Sequence, residues 1–299
     1  MVREKCKKCA RRVPVISVAG NLALGSVKLI GAILSGSVGL TVDAFHSLSD
    51  AVGSIFVLAS IRIAEKPRDS GHPYGHGKVE FLASLIVYTV LFGVGGIFFL
   101  ESVLSLVHGA TKAPEAFGAG VAMISVLANY IMLSLNFCAG GHSNRPALIA
   151  NAHENLTDLI SSIPVVVGIV AAQFGYLFAD PLAALVVSLL IIANAARMWY
   201  KSLNELLDTG VSDAARRRIR TIAMTVEGVL GTGELRTRHV GQNLWADLGI
   251  LVNRDLSVEA AREIADEVRG RLLRTGKHME DVVVSFRASE PTGEKAAAP

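Results

Sequence analysis

The sequence predicts a six-helix transmembrane bundle followed by a small cytoplasmic α+β domain, and three observations carry that prediction. Of 299 residues, 51% are hydrophobic and only 18% charged, against about a quarter charged in a soluble chain; the mean hydropathy is +0.46. The apolar excess lies between Val13 and Tyr200, while the segment from Asp208 onward has soluble composition. Lysines and arginines gather in alternate loops. The expected division is therefore an N-terminal cytoplasmic segment (1–12), a transmembrane domain (13–207), a cytoplasmic domain (208–290) and a polar, Ala-rich tail (291–299) expected to be disordered.

A helix needs roughly 20 apolar residues to cross a bilayer. Six such spans can be drawn: Val13–Leu34, Val38–Ile63, Phe81–Val107, Ala116–Phe137, Pro146–Phe174 and Ala179–Tyr200. The second and fifth are the most polar. The first follows a basic stretch with Lys5, Lys7, Lys8, Arg11 and Arg12 but has no small-residue cleavage site, so it reads as retained. Basic residues precede the first span, fill the loop after the second (Arg62, Lys66, Arg68, Lys78), precede the fifth (Arg145) and follow the sixth (Arg197, Lys201). The opposite loops offer Lys112. This pattern predicts both termini in the cytoplasm, in a cell (inner) membrane or one derived from it. The net charge of +3 then reflects loops and implies no nucleic-acid partner.

The soluble segment reads as a helix from Ala214 to about Thr225, strands at Glu234–His239 and Leu244–Val252, a helix at Ser257–Arg274 and a strand at Asp281–Arg287. The second strand sets Trp245 and Asp247 against Ala246 and Leu248, as a sheet covered on one side requires. Ser257 is a suitable helix start. The order αββαβ makes a small layered α+β domain. Cys6 and Cys9 form one CxxC, which supplies two metal ligands of the four a closed zinc site needs. Cys138, near the end of the fourth span, reads as a small buried residue.

The polar residues inside the second and fifth spans carry the chemistry. An intramembrane ionisable group costs about 2.5–3.5 kcal/mol on insertion scales, so it faces an interior and usually serves function. Asp43, His46 and Asp50 are spaced three then four, and Asn151, Glu154 and Asp158 repeat that spacing. Residues so spaced share one helix face. Facing each other, the two stripes place His46, Asp50, Glu154 and Asp158 around one point. One imidazole and three carboxylates are a ligand set for a divalent metal, and protons compete for the same atoms. His153 lies off the stripe and reads as a helix-packing or supporting residue. Lys28, in the first span, reads as a snorkelling or paired lysine, and Asp43, one turn toward the outer face, as an exit-side ligand or, in preference, a supporting acceptor. In the basic loop, Asp69, His72 and His76 could converge on a second metal, because Gly and Pro between them let the chain turn sharply.

These residues carry a family resemblance. Gly36-Ser37-Val38 leading to His46 and Asp50, the loop from His72 through His76 and Lys78 to Glu80, Glu154 with Asp158, and Leu207-Asp208 together resemble the cation diffusion facilitators, from about Val13 to Ser289. The resemblance implies proton-coupled export of divalent metal by a homodimer with a ferredoxin-like cytoplasmic domain. It assigns the transport site to His46, Asp50, Glu154 and Asp158, a loop site to Asp69, His72 and His76, and a structural ion pair to Lys78 and Asp208. Zinc members usually carry histidine at Glu154. A carboxylate-richer set favours harder ions, and the CxxC, the run before Glu154 and Trp245-Ala246-Asp247 resemble the magnetosome branch. The expected order of substrates is Fe²⁺, then Zn²⁺, then Mn²⁺. The histidines of zinc-sensing relatives are replaced by Gly233, Gly249 and Ser285, which leaves Asp247 and His278, with Trp245 and His239 nearby, as weak regulatory candidates.

The expectation is thus a transporter with no tightly bound cofactor, moving metal one way and protons the other by alternating access. One rival is a non-transporting membrane scaffold that recruits partners through its cytoplasmic domain. An enzyme is not expected, since His153-Glu154 lacks the second histidine of a metalloprotease helix.

Overall fold

The computed structural model describes the backbone of residues 2–109, 112–143, 146–241, 243–276 and 279–289, with the side chains of these residues except 2–18, 54, 57, 58, 139–143 and 146–151. The side chains of Cys6, Cys9 and Asn151, together with His278 and the tail at 291–299, lie outside the described residues. Six long helices come first: α1 (Val2–Ser35), α2 (Val38–Ala64), α3 (Val79–His108), α4 (Phe117–Ser143), α5 (Pro146–Gln173) and α6 (Ala179–Leu206). Among the described residues, α3, Phe117–Cys138 of α4, Ala152–Gln173 of α5 and α6 are long and apolar enough to cross a membrane, and Ala19–Ser35 of α1 forms a shorter apolar helix. In α2 the apolar run is interrupted by Asp43, His46 and Asp50. Two compact units emerge, residues 1–58 with 84–199, and residues 59–83 with 200–299.

In the first unit, α1 and α2 meet within two residues. Gly36 has φ +67° and returns its N–H to the Ala32 carbonyl at 2.9 Å, a left-handed helix stop that glycine adopts without penalty. Ser37 then accepts the Leu40 N–H at 3.0 Å, and Asp180 accepts the Val38 N–H at 2.8 Å. Orphan donors at the start of α2 are thereby satisfied by an oxygen and an anion at the positive end of the helix. The core combines Ala32, Leu40, Val42, Ala122, Val165, Ile169, Ala184, Val187 and Ile191. Its small residues let helix backbones approach closely, as bilayer packing requires. Large apolar residues of α3, including Ile86, Val90, Ile97 and Leu100, point outward.

The second unit holds α7 (Asp213–Met224), β1 (Gly231–Val240), β2 (Asn243–Val252), α8 (Val258–Thr275) and β3 (Met279–Ala288). The sheet order is β1-β2-β3; β1 and β2 are antiparallel, while β2 and β3 are parallel, with α8 as the crossover that parallel pairing needs. Ser212 and Ser257 cap α7 and α8. Strand β1 starts three residues before the expected Glu234, because Gly231 and Thr232 pair with Leu251 and Ile250 ahead of a register shift. One face of the sheet packs with α7 and α8 around Leu248, Ile250, Val268 and Leu272.

The other face is not bare, which corrects the expectation of a sheet covered on one side. Trp245 is buried because the loop between α2 and α3 lies over it. The Tyr74 ring meets it edge-on at 5.4 Å, Arg68 stacks at 4.6 Å, and Arg238 lies 4.6 Å from Tyr74. Arg68 also reaches Glu280 at 2.9 Å. Gly77 packs so tightly against this domain that a Cβ there would stand 2.7 Å from the Val240 carbonyl carbon. Lys78 pairs with Asp208 at 3.0 Å and donates to the Leu206 carbonyl at 3.3 Å, placing a cation at the negative end of α6. Asp208 itself has φ +60°, and Thr209 closes back on the Asn204 carbonyl at 3.1 Å.

Leu272 is fully buried in the α8–sheet core. Its replacement by alanine should destabilise this unit by about 2–5 kcal/mol, read as a lower guanidinium midpoint of Trp245 emission in a Trp199→Phe background. The exposed Val258→Ala control should stay within about 0.5 kcal/mol.

Candidate metal centres

Helices α2 and α5 bring three of the four expected transport ligands together. Ligand atoms of His46, Asp50 and Asp158 lie within 4.8 Å of one another. The imidazole stands between the carboxylates, with Nδ1 3.3 Å from Asp50 and Nε2 3.5 Å from Asp158. Nδ1 is buried without a well-formed hydrogen bond, so an ion is a better partner for it than the present geometry offers. A tetrahedral ion with bonds of ~2.1 Å holds its ligands roughly 3.4 Å apart; since one imidazole nitrogen binds one ion, the ring that now stands between the carboxylates would have to turn for both to meet the ion at the same nitrogen. Glu154 lies outside the cluster and is exposed, one turn of α5 before Asp158. His153 is exposed and rests its ring edge-on against Phe137 at 5.5 Å, a contact between α5 and α4.

Asp43 turns to a different partner. Lys28 on α1 is completely buried and pairs with it at 2.9 Å. Ser162 donates to both Asp43 oxygens, at 3.2 and 2.9 Å, and Ser161 lies 3.4 Å from Asp43. The paired reading of Lys28 matches this arrangement. Sequence reasoning missed Ser47, Ser161 and Ser162. Their signal was present, since Ser161 and Ser162 follow Asp158 by three and four residues on the same polar face.

The loop cluster is compact. His72 Nδ1 is 3.2 Å from Asp69, His76 Nε2 is 3.5 Å from its other oxygen, and all three ligand atoms lie within 4.8 Å. The His72 backbone N–H donates to Asp69 at 2.7 Å. That bond, with the His72 side chain and the charges of His72 and His76 behind it, holds the Asp69 carboxyl below its ordinary value, which favours the anion a cation needs. Asp69 and His72 are exposed and His76 is mostly shielded, as expected of a site filled from solvent.

The remaining candidates among the described residues do not converge. Asp247 is exposed on β2, His239 is half-buried on β1, and among the described residues neither joins a group of metal ligands. Cys138 is exposed, against the expectation of a buried residue. Asn136, two positions earlier and so about 200° around the helix, takes the inward place.

Comparison with known proteins agrees with this architecture. Residues 15–207 match the cation efflux transmembrane domain, and residues 211–286 match the cation efflux protein cytoplasmic domain. The chain is 33% identical to magnetosome protein MamB of Magnetospira sp. (strain QH-2), over 95% of this chain and 97% of that one. It is 31% identical to magnetosome protein MamM of Paramagnetospirillum magneticum, over 97% and 92%, and 30% identical to metal tolerance protein 2 of Oryza sativa subsp. japonica, over 97% and 81%. With both of its domains matched in order along nearly the whole length, the chain belongs to the cation efflux family of metal transporters.

Proposed function

We propose that this chain is a homodimeric antiporter that exports a divalent transition metal from the cytoplasm in exchange for protons. The observation that carries the reading is the cluster of His46, Asp50 and Asp158 shared by two helices. A site split between two elements is made or broken when they move past each other, which is what alternating access needs. Glu154, one turn away on the exposed side, supplies the fourth ligand by swinging inward as metal arrives. Protons and metal compete for the same atoms, so each displaces the other. Asp69, His72 and His76 form a second, solvent-facing metal site, and Asp247 with His278 is the weak regulatory candidate. Lys78 and Asp208 act as the structural ion pair. Both termini face the cytoplasm, in the inner membrane or a membrane derived from it.

The carboxylates favour Fe²⁺ first, with Zn²⁺ next and Mn²⁺ third. Relatives named as magnetosome proteins are consistent with iron, while one named for metal tolerance leaves zinc close behind. The competing reading is a scaffold that does not transport.

Reconstitution separates them. Purified dimer in proteoliposomes under an imposed pH gradient should move Fe²⁺ or Zn²⁺, and Asp50→Ala and Asp158→Ala should each reduce that flux to the level of empty liposomes. A correctly folded dimer with no flux for any of the three ions would establish the scaffold. Glu154→His should raise Zn²⁺ flux relative to Fe²⁺, measured as competition between the two ions in the same vesicles. Replacing His72 and His76 by alanine should lower equilibrium metal binding while leaving gradient-driven flux in place, measured by isotope retention and uptake.

A further inference from the structure

Lys28 is a fully buried cation in a membrane helix, a placement that costs several kcal/mol unless its protons are taken up. They are. The ammonium has three N–H groups and three acceptors: Asp43 at 2.9 Å, Ser47 at 2.9 Å and Ser162 at 3.2 Å. Asp43 in turn accepts from Ser162, and Ser161, which gives its one hydroxyl proton to the Asp158 carbonyl at 2.9 Å, lies 3.4 Å from Asp43. This node ties α1 to both helices that carry the metal ligands. It lies one turn beyond them, since Asp43 precedes His46 by three residues and Ser162 follows Asp158 by four.

Exposure changes steadily across the seam between α2 and α5. Lys28 and Asp43 are at 0%, His46 and Asp158 at 5% and 7%, Asp50 at 18%, and Glu154 is exposed. Beyond the node, Leu40, Val42, Val165 and Ile169 are all at 0%. The site therefore opens toward Asp50 and Glu154 and is shut toward the start of α2.

We infer that the Lys28–Asp43 ion pair and its three serines are the barrier that closes the metal site on the side of the α2 N-terminus, and that the pair must separate for a cation to leave that way. The direction of release rests on the transport reading above; the closure does not. The barrier is steric, and the ammonium also occupies Asp43, the carboxylate that would otherwise draw a cation onward through the seam. Pro164 follows Ser162 closely within α5. Lacking an N–H, it removes the backbone bond to Ile160 and so leaves α5 weakest in bending beside the node.

The test uses the full chain in sealed vesicles, with Cys6, Cys9 and Cys138 changed to serine and Ser161→Cys as reporter. That serine lies farther from Asp43 than Ser162 does, so its exchange disturbs the node least. A membrane-impermeant maleimide is applied to each face separately. Lys28→Met combined with Asp43→Asn removes both charges, so that neither is stranded. Labelling from the face nearest the α2 N-terminus should rise about tenfold or more, the equivalent of ~1.4 kcal/mol in the opening equilibrium. Lys28→Arg, which keeps the charge, should stay near the parent. Unchanged labelling in the double variant would overturn the inference. So would an equal rise from both faces with a lowered melting temperature, which would make the node a packing element. Metal flux is read separately in vesicles of the unmodified chain. A selective rise in labelling without any flux there would sink the transport reading while leaving the closure in place.

Discussion

The buried charge between α1, α2 and α5 is the constraint around which the membrane unit is organised. A lysine, a histidine and three aspartates cannot sit among helices unless each finds a partner, since solvent is not there to supply one. The structure meets this with two adjacent solutions of different kinds. At Lys28 and Asp43, donors and acceptors match and the network is complete. At His46, Asp50 and Asp158, one imidazole faces two carboxylates and the match is incomplete. A network with all its partners resists change; one with an excess of anionic oxygen takes up cations. Placing one beside the other on the same pair of helices gives a site with a fixed end and a receptive end.

The second unit rests on a different interaction. Its sheet has a helix-covered face built from aliphatic residues and an opposite face on which Trp245 lies beneath Arg68, Tyr74 and Arg238. Aromatic and guanidinium groups stacked in this way combine apolar contact with cation–π attraction. A loop of Gly, Pro, Ser and His is thereby held as a defined surface. The same loop carries Asp69, His72 and His76, so the geometry of that cluster depends on contacts a few residues away with β1, β2 and β3.

Much of this was legible in the sequence because it depends on period. The three-then-four spacing in α2 and α5 placed their polar residues on common faces, and the alternation of β2 located its core side. The helix start at Ser257 followed from cap chemistry. What could not be read was contact between segments far apart in the chain. Nothing local to Trp245 announces a loop more than 160 residues earlier in the chain, so its alternation suggested an open face that the structure fills. Lys28 was legible as a paired lysine, but its partners on two other helices were not. Glu154 shares the face of Asp158 by spacing, yet a side chain on the right face can still point away from the common centre, because rotamer choice is not encoded in period.

Asp208 shows how tightly two requirements can be bound into one position. The end of α6 calls for a residue in the left-handed region, where glycine is the usual solution and aspartate is among the few tolerated alternatives. The pairing with Lys78 calls for a carboxylate. Glycine, asparagine and aspartate satisfy the backbone, and only aspartate and glutamate satisfy the lysine. The intersection is a single amino acid. Substitutions neutral for one requirement are therefore harmful to the other, and drift at this position is confined in a way that burial alone, at a site this exposed, would never impose.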